Sequence, residues 1–335
     1  MLNTTISAFL SQLKFGTPTT CENLTIVPLL DSQNVEPNYL TMDEGLSTSL
    51  FQIEELEDGS QVNDIRFRNI SEKFALLFEG EELLGAKQNR ILNISVLVKP
   101  KTDQTLPVSC VEAGRWHHSH RVRSKQRFQS ANRMHYARGR AFENRAVSMN
   151  LASCSEVRSD QSGVWDGIAE KSRRMGAHSP SSASDAMFVS SQTKIKTYLE
   201  AFDPQPNQIG SVFLIDGQVS GLEIFDSENT HKSLMPKLVQ SYALDAVDSG
   251  LTREIDGNPA GFSKDQLEKK AKDFTSRLQT SEINRFDGVA EGENFRFKGK
   301  QLTGGALVHE DQVLHLCAFD FAEEEGMLEG EPNLT

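Results

Sequence analysis

The chain has 335 residues, of which 37% are hydrophobic and 24% charged, with a formal net charge of −12 and a mean hydropathy of −0.44. These values fit a globular chain long enough for two domains or one large elaborated one, and they argue against a membrane protein, since no apolar run approaches the length needed to cross a bilayer. The acidic balance also argues against a broad nucleic-acid or anionic-membrane surface, since such partners reward positive charge.

The opening stretch, MLNTTISAFLSQLKFG, carries no positive n-region and no small-residue cleavage site, so no secretory signal is expected and the chain is assigned to the cytoplasm. Cys21, Cys110, Cys154 and Cys317 are widely separated, lack C-x-x-C spacing and read as reduced thiols. Leu2, Ile6, Phe9, Leu10 and Leu13 recur at helical spacing before Gly16, which predicts a helix within residues 1–19, with ordinary packing preferred to a docking role. From LTIVPLL at 24–30 to ILNISVLV at 91–98, β-branched runs alternate with Gly, Asp and Asn and read as strands.

Residues 119–190 accumulate Ser, Arg, Gln and Ala, and Val164, Trp165, Ile168 and Met175 form an apolar stripe, so a helical segment is expected over 119–205. Strands return in SVFLIDGQVSGLEIF at 211–225, where Asp216-Gly217 is a strong hairpin signal. Two amphipathic helices follow, one from about Asn229 through Ala246 and one after the capping box begun by Ser263. GGALVHEDQVLHLCAFDF at 304–321 reads as a buried hairpin and 322–335 as an acidic tail. The expected fold is therefore α+β. Central antiparallel β structure from both ends of the chain, with a helical mid-chain insertion, makes one large domain over 20–321. An internal echo, FEGEELLGA at 78–86 and FKGKQLTGG at 297–305, fits either two related β units or a shared turn solution.

Chemistry-bearing residues concentrate in two stretches. If GAKQNRILNISVLV (85–98) is one regular strand, Arg90 shares a face with Gln88, Leu92, Ile94, Val96 and Val98. A guanidinium at the rim of a core needs a carboxylate, carbonyls or a bound anion. In PVSCVEAGRW (107–116), Cys110 and Glu112 share a side, and Gly114 permits a turn before Arg115 and Trp116. The functional reading is a pocket in which arginine contacts phosphate or carboxylate, Trp116 stacks on a planar ring and Glu112 acts as general base. Cys110 beside arginines is a second catalytic candidate, as a nucleophile. The structural alternative pairs Glu112 with Arg90 or Arg115 and buries Cys110 and Trp116 as packing.

His117, His118 and His120 lack a second ligand cluster, so no metal ligand is assigned. From Arg115 to Arg145 there are nine Lys or Arg residues against one acid, Glu143, yet beyond Trp116 only Phe128, Tyr136 and Phe142 are available for base stacking. RNA binding through 115–145 is accordingly an alternative and not the leading reading. No G-x-G-x-x-G after a strand, Walker, G-x-S-x-G or H-E-x-x-H motif occurs, and no cofactor is indicated.

Taken together, GAKQNRILN and VSCVEAGRW resemble the ADP-ribosylglycohydrolase- and rhodanese/phosphatase-associated protein domain family. QSGVWDGI, GQVSGLEIFDS, LVQSYALDA and GGALVHEDQVLHLCAF are similar to further blocks of it, so the likeness spans roughly 20–320. The resemblance covers Gly85, Lys87, Gln88, Asn89 and Arg90, then Cys110, Glu112, Gly114, Arg115 and Trp116, then Gln161 and Trp165, but not the three histidines. It implies a link to ADP-ribose or NAD-derived metabolites. The expectation is a domain that binds, and in an enzymatic version processes, an anionic nucleotide metabolite. Lys87, Arg90 and Arg115 would lie on phosphate, Gln88 and Asn89 beside them, and Trp116 near the base. A noncatalytic interaction protein is the competing class.

Overall fold

The computed structural model describes residues 3–33, 35–56, 63–114, 127–252 and 261–321. In chain order its elements begin with α1 (Asn3–Gln12), β1 (Lys14–Phe15), β2 (Thr19–Cys21), β3 (Leu24–Leu30), β4 (Tyr39–Thr41), α2 (Met42–Ser47), β5 (Phe51–Glu55) and β6 (Asp64–Asn69). Then come β7 (Phe74–Leu77), β8 (Glu81–Gly85), β9 (Arg90–Leu92), β10 (Val96–Val98), β11 (Thr102–Cys110) and β12 (Phe128–Met134). Four helices follow: α3 (Ala137–Cys154), α4 (Gln161–Arg174), α5 (Asp185–Ser190) and α6 (Gln192–Ala201). The chain ends with β13 (Gln208–Ile215), β14 (Gln218–Phe225), α7 (Glu228–Thr252), α8 (Lys264–Gln279), β15 (Glu282–Asp287), β16 (Glu293–Gly299), β17 (Leu302–His309) and β18 (Gln312–Asp320).

This is an α+β fold. A nine-stranded antiparallel sheet runs β1-β3-β13-β14-β18-β17-β16-β15, with β2 also on β3, and so joins the two ends of the chain. Strand alternation decides what each face meets. Val212, Leu214, Leu222 and Ile224 point to one side, against Ile6 and Leu10 of α1 and Leu267, Phe274 and Leu278 of α8. Phe213 and Phe225 point to the other, against Leu234, Leu238 and Tyr242 of α7. The Ser263 capping box forms as expected, its side chain taking the Gln266 N–H while Gln266 returns to the Ser263 backbone. The β13–β14 turn places Asp216 at φ 54° and Gly217 at φ 70°, the left-handed pair that an Asp-Gly hairpin favours.

The second β unit is a six-stranded sheet, β12-β8-β9-β11-β6-β5, in which a bridge from Glu54 to Arg127 brings the two edge strands together. Its interior is filled by Phe51, Ile53, Phe67, Leu83, Leu92, Leu106, Val108 and Phe128. A three-stranded sheet, β10-β7-β4, lies beside it and contains the parallel β4–β7 pair.

Two local expectations change. Residues 85–98 are not one strand: β8 ends at Gly85 (φ 119°), Ala86 takes φ 48°, and β9 and β10 then belong to different sheets. The interruption at 93–95, between β9 and β10, breaks the alternation on which the shared face of Arg90 and Val96 depended. Within 119–205, Phe128–Met134 form a strand because they complete the six-stranded sheet, and the helices begin at Ala137.

Candidate functional site

The two motif stretches meet directly. Cys110 is the register partner of Arg90, Ser109 of Ile91 and Val108 of Leu92. Just past the strand end, Glu112 pairs with Ala183 in an isolated bridge. Its Oε1 accepts the Ser181 hydroxyl at 2.6 Å and its Oε2 the Asn89 N–H at 3.3 Å. The Gly114 N–H donates to the Ser181 carbonyl at 2.8 Å, and a Cβ on Gly114 would approach the Ser181 backbone to 3.0 Å, so this crossing suits glycine. Gln161, the first residue of α4, clamps the Cys110 backbone: its carbonyl accepts the Cys110 N–H at 2.7 Å and its amide donates to the Cys110 carbonyl at 2.9 Å.

Arg90 is fully buried. Its Nη1 donates to Gln88 at 3.0 Å, its Nη2 lies 3.5 Å from Glu55, and its Nε has no partner among the described residues. Glu55 also accepts the Lys87 N–H at 3.2 Å, and Asn89 accepts the Gly85 N–H at 3.2 Å through its side chain. Burial pushes the Cys110 thiol up to about 11 despite the Arg90 charge nearby. A nucleophile needs the thiolate, and this environment opposes it. Arg115, Trp116, His117, His118 and His120 lie outside the described residues, as does 322–335.

Sequence reading missed the neighbours of this cluster. Arg133 forms a bidentate pair with the buried Glu82 at 2.9 and 3.1 Å, reaches Asp185 at 2.7 Å and lies over the Phe188 ring. No motif marks these residues; the only signal is the basic island that contains Arg133. That island is partly internal, because Arg133 and Arg140 are both buried in ion pairs.

A second, interior cluster lies between the nine-stranded sheet, α3 and the turn preceding β8. Arg140 pairs with Glu223 at 2.6 Å, and Glu79 holds Asn144 at 2.6 Å and Arg296 at 3.1 Å. His315 stands between Ser95 Oγ (2.7 Å) and Glu223 Oε2 (3.3 Å). Burial pushes the Glu223 carboxyl up, but Arg140 and His315 override it and hold the group below the ordinary carboxylate range. Glu143, in contrast, is driven well above that range by burial and by Glu79. Two further depressions, of about 340 Å³ around Glu22, Lys194 and Tyr198 and about 410 Å³ around Glu293 and His309, include no residue of either cluster.

Against known proteins, residues 12–319 match the family model described as ARPP-1, the ARG and Rhodanese-Phosphatase-superfamily-associated Protein domain. No curated protein and no solved structure matches. Among the described residues, no helix is long and apolar enough to cross a membrane.

Proposed function

The chain belongs to the ARPP-1 domain family, and from that premise we propose that it binds an anionic metabolite of the ADP-ribose or nucleotide type at the strand-end cluster. The observation carrying this reading is Arg90: a fully buried guanidinium whose nearest carboxylate among the described residues is 3.5 Å away and whose Nε is unpartnered among them. A buried cation so loosely paired is costly, and phosphate oxygens are a matched acceptor for its planar fork. In this reading Lys87 adds a second cation, and Gln88 and Asn89 present amides from the same turn. Arg115 and Trp116, which follow Gly114 in the chain, supply a further cation and a stacking ring. Ligand entry requires the 85–90 turn to move, since Arg90 is sealed in this state.

Binding fits the geometry better than turnover. Glu112 already holds Asn89 and Ser181, so acting as a base requires breaking one of those contacts, and Cys110 favours the protonated thiol. The closure around Glu112 is also what favours the second reading, a noncatalytic interaction protein.

Thermal denaturation with ADP-ribose, ADP, NAD and inorganic pyrophosphate separates the two. A ligand at a hundredfold excess over Kd stabilises by about 2.7 kcal/mol. The expected result is a shift with at least one diphosphate that is lost in Lys87→Ala and Arg90→Lys while both variants remain folded. No shift with any of the four would leave the interaction-protein reading standing.

A further inference from the structure

β14 and β18 are neighbours in the nine-stranded sheet, and their register sets Glu223 opposite Cys317 and Phe225 opposite His315. Residues two apart on a strand share a face, so Glu223, His315 and Cys317 all project toward the α3 side. A carboxylate oxygen, an imidazole nitrogen and a thiol sulfur consequently lie within 4.8 Å of one another, all three side chains buried.

Each of these groups is braced from behind. Ser95 Oγ engages His315 Nδ1 at 2.7 Å, which leaves Nε2 facing Glu223. Arg140 takes the other Glu223 oxygen, Oε1, at 2.6 Å. The Asn144 amide approaches Cys317 Sγ at 3.9 Å as a donor, the polarity that suits a thiolate. Metal-binding imidazoles and carboxylates are held in this way, with the outer atom hydrogen-bonded and the inner atom turned into the shared space.

We propose that Glu223, His315 and Cys317 form a structural site for a divalent cation of the zinc type. One thiolate, one neutral imidazole and one carboxylate are a donor set that Zn²⁺ accepts. With all three ligands buried, the ion is taken up as the chain folds. This site is separate from the Arg90 cluster and stands or falls independently of metabolite binding.

The test uses the full chain from zinc-replete cells, purified without chelators. Elemental analysis is expected to find stoichiometric zinc in the parent and in the Cys110→Ala control, and background zinc in Cys317→Ala. Refolding the parent with Co²⁺ is expected to give a thiolate-to-metal charge-transfer absorption, so the assignment remains testable if Cys317→Ala does not fold. A folded parent with only background metal and no such band on Co²⁺ refolding would overturn it, as would stoichiometric zinc in a folded Cys317→Ala.

Discussion

Arg90 and Arg140 are both buried arginines, yet their surroundings differ in kind. Arg140 has a carboxylate at 2.6 Å and lies near the Tyr242 and Phe319 rings, although its Nε and Nη2, like the Arg90 Nε, have no partner among the described residues. Arg90 has an amide oxygen at 3.0 Å and a carboxylate only at 3.5 Å. The difference teaches that burial alone does not make an arginine structural; the quality of its pairing does. An interior ion pair at 2.6 Å belongs to the fold, whereas a strand-end guanidinium whose carboxylate stands 3.5 Å away is the kind of locally unfavourable feature that functional sites retain.

The largest expected effect follows from the interior pair. Removing one partner of a buried ion pair costs about 3–5 kcal/mol because the other charge is left uncompensated. Arg140→Met should therefore destabilise the chain by roughly that amount in urea denaturation. Arg90→Met should cost clearly less, since Glu55 is partly exposed and can be solvated. Equal losses at the two positions would erase the distinction between the clusters.

A carboxyl without a cation sharpens the same contrast at intermediate size. Asp226, just past β14, accepts from Tyr39 and is pushed up to about 6 by burial, although that hydrogen bond partly offsets the push. In the folded chain Asp226 holds its proton to about pH 6, whereas in the unfolded chain it loses it near pH 4. Over that window the folded state binds more protons, so this residue's contribution to stability falls as pH rises and is flat above it. Asp226→Asn removes the effect. Its stability relative to the parent should climb between about pH 4 and pH 6, toward an upper bound of roughly 3 kcal/mol at about 1.4 kcal/mol per pH unit. Parallel pH curves would mean that Asp226 titrates normally and that the interior tolerates a carboxylate without a cation.

The sequence made the strand-end cluster visible and left the interior one hidden, for a physical reason. Arg90, Cys110 and Glu112 sit in compact stretches where charge interrupts apolar runs, so local inspection finds them. Arg140, Glu223, Arg296 and His315 come from α3, β14, β16 and β18, and only the assembled sheet makes them neighbours. The glycines carried a faint trace. A Cβ on Gly80, at φ 85°, would come within 2.1 Å of Arg140 Cδ, and one on Gly305 within 2.6 Å of Arg296 Nη1. Both belong to the internal echo, but spacing alone cannot tell which arginine a glycine accommodates. The fold class and the Asp216-Gly217 hairpin were legible because they depend on local periodicity and turn chemistry. The break at 93–95 was not, since it arises from β9 and β10 joining different sheets.

The smallest expected effect tests whether the strand end opens independently of the interior. Gln161 satisfies both backbone groups of Cys110. Gln161→Ala leaves a buried donor and acceptor unmet, a cost of about 1–3 kcal/mol. Cys110 and Cys317 are both buried while Cys154 is exposed and Cys21 half-buried, so alkylation of the native protein should modify Cys154 first and reach Cys110 and Cys317 only through opening. If the strand end opens by itself, Gln161→Ala should speed Cys110 labelling about 5–150-fold, at tenfold per 1.4 kcal/mol, while Cys317 labelling stays unchanged. Equal acceleration at both thiols would mean that Cys110 is exposed only by global unfolding. The 85–90 turn could then not admit a ligand without unfolding the core, and the closed, noncatalytic reading would replace metabolite binding.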